Sequence, residues 1–67
     1  MKSLVKVSNI RSSKDVNKIR SALSKAQGII ACQIKLEKGE VDVVYDNYFV
    51  GIEDIYEILE DMGYTVL

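Results

Sequence analysis

Leu4, Val5 and Val7 open the chain as a short run rich in β-branched residues, which predicts a first strand. A polar stretch from Asn9 to Asp15 follows and reads as a turn. Between Ser13 and Gln27 the apolar residues fall at Val16, Ile19, Leu23 and Ala26, with Ala22 beside them. Steps of three and four mark one stripe of a helix. Gly28 stops it. Cys32, Ile34 and Leu36 then alternate with polar positions, as do Val41, Val43 and Tyr45, and Lys38-Gly39-Glu40 lies between the two runs. That pattern predicts a hairpin with one buried face. A second helical stripe runs Ile52, Ile55, Leu59, Met62, ends at Gly63, and leaves Tyr64 to Leu67 for a last strand.

The predicted order is β-α-β-β-α-β. It is an α+β chain of the ferredoxin-like split type, with two helices on one face of a four-stranded antiparallel sheet. The 67 residues make a single domain, 1–67. Leu4, Lys6, Gln33, Lys35, Asp42 and Val44 are expected on the uncovered sheet face. Fold alone does not give function.

Absences narrow the chemistry. The chain has no histidine and one cysteine, Cys32. That excludes a disulfide framework and a four-thiolate zinc or iron–sulfur site. It also removes the commonest general base. With no phosphate-cradling glycine loop either, the expectation is a protein that is not an enzyme. A formal net charge of −1 argues against nucleic acid as a partner. No stretch approaches the roughly 20 apolar residues of a membrane span, so no membrane insertion is expected, and the cytoplasm is the expected setting. The near-zero net charge hides a separation: the first 38 residues sum to +7 and the rest to −8. Either two neighbouring helices of opposite charge support each other, or the surface steers a charged partner.

Val5-Lys6-Val7, Gly28-Ile29, the run Val41 to Asp46, and Glu60-Asp61-Met62-Gly63-Tyr64 resemble, in order and spacing, the heavy-metal-associated domain of small copper chaperones and copper-transporting ATPases. The resemblance covers nearly the whole chain. It implies a Cu(I) site in the first β-α loop, where the family carries Cys-x-x-Cys and two soft thiolates suit a soft cation. Here Ser12 stands at the first cysteine position and Asp15 at the second, with Arg11 and Lys14 beside them. The expectation is therefore a degenerate member with no metal ligands and no cofactor. Ser12-Ser13-Lys14-Asp15 reads instead as a capping box, hydroxyl and carboxylate each serving the other's backbone N–H.

Cys32 shares parity with Ile34 and is expected in the core. Ile10 and Tyr64 are expected to pack at the loop. Tyr48, Phe49 and Tyr56 have no evident core slot and, with Arg11, Lys14 and Lys18, form the candidate interaction surface. The implied role is protein docking or regulation in metal trafficking, with a metal-transporting ATPase or a second copy as partner. One alternative is a weak metal binder using Asp15, Ser12 or Cys32. Another is an ACT-like small-molecule regulatory domain.

Overall fold

The structure is a computed structural model that describes residues 1–67. Its elements run β1 (Lys2–Lys6), α1 (Ser13–Lys25), β2 (Ile29–Lys35), β3 (Glu40–Tyr45) and α2 (Ile52–Asp61). β3 is central, flanked by β1 and β2, and both pairings are antiparallel. The last segment joins the sheet beyond β1 through one antiparallel bridge, Val7 to Val66. Leu67 N–H donates to the Lys6 carbonyl at 2.9 Å and Ser8 N–H to that of Thr65 at 3.0 Å. The predicted fourth strand is thus present in its place and shortened to that contact. The fold is the ferredoxin-like α+β arrangement.

Alternation along β1 and β3 puts Val5, Val41, Val43 and Tyr45 under the helices. Ile19 and Leu23 from α1, and Ile55 and Leu59 from α2, meet them, all fully buried. Burial of such side chains contributes on the order of 1.5–3 kcal/mol each. The opposite sheet face is open, as expected. Leu4 is half exposed there, and the ion pairs Lys6–Glu40 and Lys35–Asp42, both 3.6 Å, cross it.

β2 departs from strict alternation. Its register against β3 shifts between Ile29 and Ala31, leaving Ile30 as the extra residue of a bulge, 68% exposed. The bulge lets Ile29 and Cys32, an odd number of positions apart, both lean on the core. Leu36 is a correction to the hairpin reading: the strand ends at Lys35, and Leu36 sits exposed in the turn. That turn needs Gly39, whose φ is +62° and whose missing side chain leaves room for the Val7 carbonyl oxygen.

Candidate functional site

The first β-α loop and the C-terminal segment meet at one end of the molecule. Ile10 anchors the loop by burial, with 9% of its surface exposed. Asn9 clamps the loop from the side. Its Nδ2 donates to the Gly63 carbonyl at 3.1 Å, and its Oδ1 accepts from Thr65 N–H at 2.8 Å. Nothing in the sequence singled Asn9 out beyond a turn-forming residue at a strand end; its partners lie more than fifty positions away.

Asp15 stands in the first turn of α1 and is fully engaged. Its Oδ1 accepts from the Tyr64 hydroxyl at 2.6 Å, and its Oδ2 accepts from Arg11 N–H at 3.0 Å. The Tyr64 bond, then the Arg11 N–H, hold the carboxyl below its usual value of 3.8. The same bond, with burial adding to it, pushes the Tyr64 phenol up to about 12. Tyr64 is itself buried, at 8% exposure. A carboxylate and a phenol 49 positions apart therefore tie the start of α1 to the segment that follows α2.

The capping box is corrected. Ser12 is the N-cap in extended conformation, but its hydroxyl makes no capping bond. The carboxylate reaches back one residue further than the motif requires, to Arg11 N–H, while its other oxygen accepts from Tyr64. The fourth-residue helix bond, Val16 N–H to the Ser12 carbonyl, closes at 3.2 Å.

As a metal site, this loop does not match a pair of thiolates. It gathers one carboxylate, two serine hydroxyls and the cations of Arg11 and Lys14, and no sulfur. The single thiol, Cys32, is in mid-β2, half-buried against the core.

From the loop a shallow groove of about 620 Å³ runs along α1. Lys14, Lys18 and Lys25 line it, together with Asn17, Ser21 and Met62 of the second helix end. All three lysines are exposed. No ion pair joins α1 to α2: the two pairs in the molecule both lie on the open sheet face.

The aromatic residues divide. Tyr48 is 86% and Phe49 58% exposed, their rings in edge contact at 5.2 Å. Their turn lies beside Gly28, whose φ is +93° and whose absent Cβ makes room for Phe49 and Val50. Gly28 follows the end of α1, so this pair is about 20 Å from the first loop along the helix. Tyr56 does not join it. The side chain is half-buried and packs against the core. Val50, before the N-cap Gly51, is buried in the core with Ile55, and Gly51 N–H donates to Asp54 Oδ2 at 2.8 Å.

The heavy-metal-associated domain family matches residues 4–65. The copper chaperone CopZ of Staphylococcus haemolyticus is 40% identical over 50 residues, 75% of this chain and 74% of its own. Among solved structures, a CopZ metallochaperone superposes with TM-score 0.96 at 27% identity over the whole of both chains. A copper-binding domain from HMA7, a P-type ATPase, superposes with TM-score 0.94 at 30% identity, covering 98% of this chain and 89% of that one. These relatives correct the expectation that no cofactor belongs to this chain. They are copper chaperones and a copper-binding domain. No helix is long and apolar enough to cross a membrane. Matched across nearly its whole length, and sharing the fold in full, the chain belongs to the heavy-metal-associated domain family.

Proposed function

We propose that this chain is a non-enzymatic docking domain of cytoplasmic copper trafficking, which offers a partner the surface built on its first loop and α1. Copper is the cargo of the traffic it serves. One observation carries this reading: both carboxylate oxygens of Asp15, at the position of the family's second cysteine, are taken up by bonds to Tyr64 and Arg11. The loop is braced from within, and what it presents outward is the charge of Arg11, Lys14 and Lys18, all exposed. A copper-binding domain of a P-type ATPase, such as the structural neighbour, is the partner class this suits. Positive charge on one side favours an acidic face on the other, and acts mainly on encounter rate and register.

The test is the affinity of the chain for a soluble, cysteine-bearing heavy-metal-associated domain loaded with Cu(I). Combined Arg11→Glu, Lys14→Glu and Lys18→Glu substitutions are expected to weaken binding about tenfold or more, and raised salt to weaken the native complex. An affinity indifferent to both contradicts the reading.

A further inference from the structure

The charge separation is laid out on one face of the molecule. Lys14, Lys18 and Lys25 recur at steps of four and seven along α1, so they share one side of that helix and line the groove ending at Met62. Asp54, Glu57 and Asp61 recur at steps of three and four along α2 and share one side of it, with Glu53 and Glu60 adjacent. All eight are exposed, and none is ion-paired. α2 carries no basic residue at all.

Both helices cover the same face of the sheet. Each returns the chain against the direction of the strand before it, and those strands, β1 and β3, are antiparallel. The helices therefore run antiparallel, side by side. A two-fold axis parallel to them and midway between them would set α1 of one copy over α2 of the other and, at the same time, α2 over α1. The lysine row then faces the acidic row twice over, and the assembly closes. The facing helices also run antiparallel, which suits their dipoles.

We infer that this chain forms a weak, closed two-fold dimer through its helix layer, with the lysine row of α1 on the acidic row of α2 from a second copy. The inference rests on the charge layout alone, not on the docking reading above. The face limits its strength. The molecule measures only 31 × 18 × 17 Å, and one face of it is small beside the roughly 800 Å² per partner of a stable complex. The dimer is thus dominated by exposed charge, and it would cover the same lysines that a docking partner needs.

Sedimentation and NMR line widths at millimolar protein read the association. A dimer is expected at low ionic strength. Its dissociation constant should rise at least about tenfold as salt goes from roughly 0.01 M to roughly 1 M, where screening shortens from about 30 Å to about 3 Å. Two variants make the test specific. Lys14→Glu with Lys18→Glu and Lys25→Glu gives a mainly acidic helix layer, Arg20 being its one remaining base; Glu57→Lys with Glu60→Lys and Asp61→Lys gives a mainly basic one. Each alone is expected to be monomeric, and mixing the two, both checked for folded spectra, should restore a one-to-one dimer. A native chain that is monomeric at low salt overturns the inference. So does a dimer that both variants retain, or association that grows past two copies, which would mean an open head-to-tail contact.

Discussion

Tyr64 and Asp15 share one short bond, and each reports on the other. The phenol titrates near 10.0 in an unfolded chain and at about 12 in the fold. Its neutral form is the one the fold favours, so that contribution is complete below pH 10 and is lost as pH rises through about 12. The carboxyl is held below 3.8, so its contribution is present above that value and is lost as pH falls through the depressed one. Tyr64→Phe is expected to return the Asp15 carboxyl toward 3.8 in a carbon-detected NMR titration. Asp15→Asn is expected to bring the phenol down from about 12 toward 10.0 by tyrosinate absorbance. Unmoved values in both variants would mean that the bond does not form. Both residues were visible in the sequence, Asp15 as a helix cap and Tyr64 as packing at the loop. Their union was not, because a cap motif speaks only of neighbours and 49 positions separate them. Asn9 was missed for the same reason.

Among the elements, both helices and the central strand were legible because their period survives intact. Val41, Val43 and Tyr45 alternate without interruption, and the stripes of Ile19 with Leu23 and of Ile55 with Leu59 keep the helical step. β2 was legible only from Cys32 onward. The bulge at Ile30 inserts one residue and breaks the period of two, so Ile29 and Cys32 do not fall in phase. The last strand was legible in place and not in length, since its pairing with the end of β1 rests on one bridge made by two hydrogen bonds. The turn before β3 is the point where a single substitution should tell most. Gly39 combines a positive φ with a Val7 carbonyl oxygen 2.7 Å from where a Cβ would stand. That oxygen is backbone and cannot swing aside. Gly39→Ala is expected to destabilise the fold by about 1–3 kcal/mol in chemical denaturation. A change of a few tenths would show that the turn can rearrange.

At the scale of the whole molecule, two surfaces lie at opposite ends of α1. One is the braced, basic loop with its lysine row; the other is the exposed pair Tyr48 and Phe49. The charge separation behind the first was plain in the sequence, and the structure shows no ion pair between the two helices. Docking is proposed at the loop end. An NMR titration of the isotope-labelled chain with a Cu(I)-loaded, cysteine-bearing heavy-metal-associated domain tests that directly. Shift changes are expected to concentrate at Arg11 to Lys18 and at Tyr64, with the backbone around Tyr48 and Phe49 unmoved. Changes confined to the Tyr48–Phe49 end, or none at all, would contradict it.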